Sequence, residues 1–149
     1  LLIFSMLPMS TFANESVSTA AQTDDLTNHY FEHDMRALIK EGLIVGKEPG
    51  VYAPNDSLTR AEFTAIIVRM LDLNPKSSTH TFSDLKKGAW YEEAIINAYS
   101  NGLISGYPDG TFKPNTSINR EELSALVSRA LDHLSIQSIK EPLVFNDKN

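Results

Sequence analysis

The chain of 149 residues has no cysteine. That one absence removes disulfides, thiolate nucleophiles and thiolate metal sites together, while leaving export open. Basic charge is also scarce: 13 Lys and Arg stand against 19 Asp and Glu, for a net charge of -6. A basic stripe that neutralises phosphates is hard to assemble from such a balance, which argues against a nucleic-acid partner. There is no Gly-rich phosphate loop and no nucleophile elbow. Residues 1–13 form an apolar run, but it is too short to span a bilayer.

What is present begins with that run. Residues 1–13 combine an apolar h-region with small Ala13 at a plausible cleavage point, so they read as the remnant of a signal peptide. No basic segment and no initiator Met precede Leu1, and the mature protein is expected to begin near Asn14. The rest reads as an acidic, secreted chain of one compact unit or two small ones.

An internal duplication organises it. Gly42-Leu43-Ile44-Val45-Gly46 returns as Gly102-Leu103-Ile104-Ser105-Gly106, an offset of 102 − 42 = 60. The register then holds: Gly50 matches Gly110, Tyr52 matches Phe112, Pro54-Asn55 match Pro114-Asn115, and Arg60, Glu62 and Arg69 match Arg120, Glu122 and Arg129. Each copy reads as helix, loop, helix. Trp90, Ala94, Ile95 and Ala98 fall at helical spacing, with Tyr30, Asp34, Met35 and Leu38 at the same places in the first copy. Gly42 and Gly102 follow where a left-handed C-cap belongs.

The second helix of each copy opens on a capping box, Thr59-Arg60-Ala61-Glu62 and Asn119-Arg120-Glu121-Glu122. One stripe follows in each, Phe63, Ile66, Ile67, Met70 and Leu71 in the first and Leu123, Leu126, Val127, Ala130 and Leu131 in the second. Between the helices, Tyr107-Pro108-Asp109-Gly110 has the order of a tight turn, and Gly110 is expected to need a positive φ. The first copy has Lys47-Glu48-Pro49 before Gly50, so its turn is expected to differ. Residues 73–81 and 133–144 read as linkers, giving repeats at 22–72 and 82–132. Phe145-Asn146-Asp147 resembles Phe82-Ser83-Asp84, as if a third copy began at 145–149. An apolar stripe on two short helices cannot bury itself, so the core must lie between copies.

Enzymatic and metal readings are weak. Glu92 and Glu93 are neighbours on a helix and point to different sides, not across a scissile bond. His29 and His33 have i, i+4 spacing without a third ligand, and Asp109 before Gly110 lacks the other oxygens of a calcium loop. No cofactor, metal or catalytic residue is expected.

Taken together these motifs resemble the S-layer homology family: a Phe-x-Asp opening, a Trp, Gly-Leu-Ile-x-Gly-Tyr-Pro-Asp-Gly-Thr-Phe, then a Thr-Arg-Ala-Glu box. The second copy follows that pattern from Phe82 to Arg129, departing at Asn119 and Glu121. The first keeps the intact box but has Gln22-Thr23-Asp24 for the opening and Tyr30 for Trp. The resemblance implies an all-α, pseudo-threefold bundle, here with its third repeat truncated. It also implies that grooves between repeats bind secondary cell-wall polysaccharide or a peptidoglycan-linked glycan, often carrying pyruvate ketals, and so hold a secreted protein on the cell surface. Through the box position it points to Arg60 and Arg120.

Independent chemistry agrees, since a guanidinium at a helix start offers forked donors beside backbone N–H groups and a positive dipole end. The expected ligand set is Arg60, Arg120, Trp90, Gly106, Tyr107 and Asp109. The competing reading of the arginines is an inter-repeat ion pair. Trp90 reads equally as core or sugar platform, and Glu62 and Glu122 are explained by capping alone. Alanine at Arg60 or Arg120 is expected to weaken binding and preserve helical content. Self-association in a surface lattice, or service as the targeting segment of a glycan hydrolase, are the rival functions.

Overall fold

The computed structural model describes residues 24–76 and 82–134. The leader at 1–13, the start of a third copy at 145–149 and parts of both linkers lie outside them. Four helices follow in order: α1 Glu32–Lys40, α2 Arg60–Met70, α3 Glu92–Ser100 and α4 Arg120–His133. Among the described residues the only β pairing is two isolated bridges, Glu48 with Val51 and Thr59 with Ser117. The fold is all-α, and no helix in the described residues is long and apolar enough to cross a membrane.

The ends of α1 and α3 are set by glycines. At Gly42, φ is 71°, the Leu43 N–H donates to the Leu38 carbonyl at 2.9 Å, and the Gly42 N–H donates to Ile39 at 2.9 Å. This is a Schellman motif, which satisfies two carbonyls that the helix leaves open. Gly102 repeats it on Ala98 and Tyr99. The starts of α2 and α4 are set by side chains: Thr59 accepts from the Glu62 N–H, Asn119 from the Glu122 N–H, and each glutamate bonds back to the cap N–H.

The two copies share one core. α2 of the first copy packs on α3 of the second, bringing Ala61, Ile67 and Val68 against Tyr91, Ile95 and Ala98, with Phe82, Leu103, Phe112, Leu126 and Ala130 in the same cluster. Packing between copies thus replaces the core neither copy could build alone.

Two expectations about the first helices need correction. α1 buries none of its residues, and Tyr30 is 90% exposed, because no described helix covers it as α2 covers α3. In the second copy the helix begins at Glu92, so Tyr91, not Trp90, enters the seam; Trp90 stays in the preceding turn, 61% exposed and edge-on to Tyr91.

The opening motif also slips by one residue. The Asp84 carboxylate accepts the Phe112 and Lys113 N–H groups at 2.8 and 2.7 Å, tying the opening to the loop before the box. In the first copy Asp25, not Asp24, does this for Tyr52 and Ala53. One residue fewer separates Asp25 from the left-handed Asn28 than separates Asp84 from the matching Gly88. Asp24 is instead paired with Arg36, and that hydrogen-bonded guanidinium holds its carboxyl below the usual range.

The inter-helix turns differ in kind. Val51 N–H bonds to Glu48 O with Gly50 third at φ 77°, the type II pattern that Pro then Gly favours. In the second copy Asp109 stands between Pro108 and Gly110. There the bond runs from Gly110 N–H to Tyr107 O, with Tyr107 N–H reaching Thr111 O at 2.8 Å. This is a turn closed by a left-handed glycine.

Candidate functional site

A groove of about 230 Å³ opens at the seam, with Arg60 and Thr64 of α2 on one side and Gly106, Tyr107, Glu122 and Arg129 of the second copy on the other. Arg60 is carried into it by the capping box, but the helix start is not free. The Arg60 N–H donates to Thr116 O at 2.9 Å and the Ala61 N–H to Pro114 O at 3.0 Å. The Glu62 N–H is taken by Thr59. The first copy's helix terminus is therefore satisfied by the second copy's loop, and the expected open anion site of backbone donors at α2 is filled by protein.

The guanidinium is held as tightly. Arg60 Nε donates to Phe112 O at 2.8 Å, and Nη1 lies 2.8 Å from Glu122 Oε1. Its Cζ lies 4.7 Å from the Tyr107 ring centroid and 4.6 Å from that of Phe112, close enough for cation–π attraction on both. Only 11% of the side chain is exposed. Of the two readings of this arginine, the inter-repeat ion pair is the one its contacts form.

Glu122 is the hub. It accepts the Tyr107 hydroxyl and the Asn119 N–H besides Arg60. Burial alone would raise its carboxyl, but the donors from Tyr107, Asn119 and Arg60 outweigh burial and hold it below the ordinary glutamate range. The same bond to Glu122 raises the Tyr107 phenol. A depressed carboxyl contributes stability above its unfolded value and loses it as pH falls through the folded one. Thermal unfolding should therefore shift to lower temperature between about pH 5 and pH 3. Glu122→Gln should flatten that fall in a pH series of melts, and the raised phenol adds a separate loss of stability above about pH 10, where the unfolded chain gives up its proton before the folded one does.

The other expected residues divide. Gly106 and Tyr107 line the groove; Arg120, Trp90 and Asp109 do not. Arg120 is exposed at the start of α4. Asp109 is occupied in its own turn, accepting the Thr111 N–H and hydroxyl at 3.0 and 2.6 Å. In the first copy Lys47 stands where Tyr107 stands in the second and pairs with Asp56, so among the described residues Glu62 has no counterpart of the Arg60–Tyr107 clamp.

Two groove residues escaped the sequence. Arg129 matches Arg69, and both donate to the carbonyl after the preceding helix, Leu103 O at 3.0 Å and Leu43 O at 3.1 Å. The repetition of that arginine was visible, but not that one of the pair would stand at the groove. Thr64 is 1% exposed and its hydroxyl has no partner among the described residues. An unpaired buried hydroxyl costs roughly 1–3 kcal/mol, so Thr64→Val should raise stability by about 1 kcal/mol in urea unfolding.

Comparison with known proteins matches this architecture. The S-layer homology domain profile matches residues 22–64 and 81–124, one match per copy. An amylopullulanase of Thermoanaerobacterium thermosulfurigenes is 38% identical over 113 residues, 75% of this chain and 6% of that protein. The cellulosome-anchoring protein of Acetivibrio thermocellus is 33% identical over 109 residues, 70% of this chain and 24% of its own length. A surface-layer 125 kDa protein of Lysinibacillus sphaericus is 30% identical over 118 residues, 78% of this chain and 10% of that protein. The chain thus spans less than a quarter of the length of these relatives. Duplicated helix pairs, a shared inter-copy core and a family match to each copy give one conclusion: the chain belongs to the S-layer homology domain family, whose repeats occur in cell-surface proteins.

Proposed function

We propose that this chain anchors the protein it belongs to on the cell envelope, non-covalently, by holding an acidic unit of secondary cell-wall polysaccharide in the groove between its copies. The observation that carries the reading is the seam groove itself. Its 230 Å³ suits a sugar unit, and it joins an aromatic wall at Tyr107 to arginine and backbone polar groups, the mixed lining of ligand sites. The net charge of -6 opposes an anionic glycan only weakly, because charges farther apart than about 8 Å are screened at physiological salt. Anchoring of this kind serves a lattice-forming surface protein and a secreted glycan hydrolase equally, and relatives are named for both roles.

The test is co-sedimentation with purified sacculi before and after chemical removal of the secondary polysaccharide. Binding to the intact wall alone is expected; equal binding to both rejects the glycan reading. A second reading, protein self-association, draws on the exposed turn before α1, where Phe31 is 54% exposed beside Tyr30. Contiguous exposed apolar surface of this sort marks interaction sites. Concentration-dependent sedimentation without any wall would favour it.

A further inference from the structure

Two arginines reach the seam groove, and they are not equivalent. Arg60 already has a carboxylate at ion-pair distance, a carbonyl on Nε and two aromatic rings within cation–π reach. A ligand carboxylate would have to displace Glu122, which is itself held by Tyr107 and Asn119. Breaking such a partly buried network is costly. Arg129 is exposed and lines the same groove from α4. It uses one Nη1 donor on Leu103 O, which fixes the guanidinium against the wall. Among the described residues no carboxylate forms an ion pair with it. An arginine has five N–H donors, so four remain.

Glu121 lines the groove too, but it lies eight positions earlier on α4, about 12 Å along the axis. That exceeds the screening length of about 8 Å. The groove therefore has a cationic end at Arg129 and an acceptor end at Glu121, suited to a sugar that carries a carboxylate on one side and free hydroxyls on the other.

Resting on the anchoring reading above, the geometry points to Arg129 as the residue that pairs with the ligand carboxylate, with Arg60 acting as the clamp that forms the groove wall. The duplication supplies an internal control. Arg69 makes the same carbonyl bond in the first copy but does not line this groove. Arg69→Met and Arg129→Met should therefore cost similar stability and differ in binding.

The experiment is co-sedimentation of the whole chain with sacculi that retain their polysaccharide, alongside sacculi whose carboxyl groups have been reduced to alcohols. Wild type is expected to prefer the native wall. Arg129→Met should weaken binding at least about tenfold, the scale of one charge-assisted fork, and erase the preference. Arg69→Met should keep both affinity and preference. Arg129→Lys retains the charge and stem, and should keep a reduced preference; it serves if the methionine variant is poorly folded. Wild-type binding with Arg129→Met indistinguishable from Arg69→Met overturns the assignment. Failure of wild type to bind either wall overturns the anchoring reading beneath it.

Discussion

Arg60→Ala is expected to lower the free energy of unfolding by about 3 kcal/mol, whereas Arg120→Ala, at the same box position, should fall within about 0.5 kcal/mol of wild type. The two arginines occupy identical places in the duplicated sequence and opposite places in the structure. Arg60 joins the copies: it takes the Phe112 carbonyl, pairs with Glu122 and packs against two rings. Its removal leaves the Glu122 carboxylate, only 18% exposed, without its cation. Removing one member of a buried pair typically costs about 3–5 kcal/mol, and the residual exposure puts this case at the lower end. Arg120 stands in solvent and loses little. For a unit of this size the Arg60 effect is a fall of roughly 10–15 °C in melting temperature. Arg60→Lys should recover only part of it, because an ammonium keeps the charge but not the fork or the stacking. Urea unfolding of the three variants decides it. Equal stability of Arg60→Ala and wild type would show that the seam is held by its apolar cluster alone.

The contacts of Arg60 across the seam carry this prediction, and they mark which features the sequence makes legible. Local features are. The capping boxes, the glycine stops and the altered first turn each depend on residues within a few positions of one another, so spacing alone identifies them. The duplication told equally that the copies must share a core, since each carries stripes it cannot bury. Which residues meet across the seam was not legible. Arg60 and Glu122 are 62 positions apart, and nothing in either box says that the first box's arginine faces the second box's glutamate. The helical spacing that starts from Trp90 shifts for a related reason. At a helix start one residue's difference rotates a side chain by about 100°, and that moved Tyr91 inside and Trp90 out. Asp25 was hidden by a one-residue deletion that a strict offset of 60 cannot show.

Gly106→Ala should be as disruptive as the loss of Arg60, and for a purely steric reason. Gly106 has φ +70°, and a Cβ there would stand 2.3 Å from Phe82 Cε1, 2.8 Å from Thr111 O and 2.9 Å from Phe82 Cδ1. Phe82 cannot step aside: it is 3% exposed and packs between the rings of Tyr99 and Phe112 at 5.4 and 5.5 Å. The left-handed backbone costs an L-residue roughly 1–2 kcal/mol, and overpacking a filled core adds roughly 1–3 kcal/mol, so a loss of about 3–4 kcal/mol is expected. Gly110 separates the two causes. Its φ is +79° but no described atom lies within 4 Å of an added Cβ, so Gly110→Ala should lose only the backbone part, about 1 kcal/mol. The opening Phe-x-Asp segment is thus locked to the turn through Phe82 against Gly106 as well as through Asp84 and the Phe112 amide. Groove shape at Tyr107 depends on that lock. Melts of the two alanine variants side by side test it, and equal losses at both positions would mean that Phe82 yields and the lock is not steric.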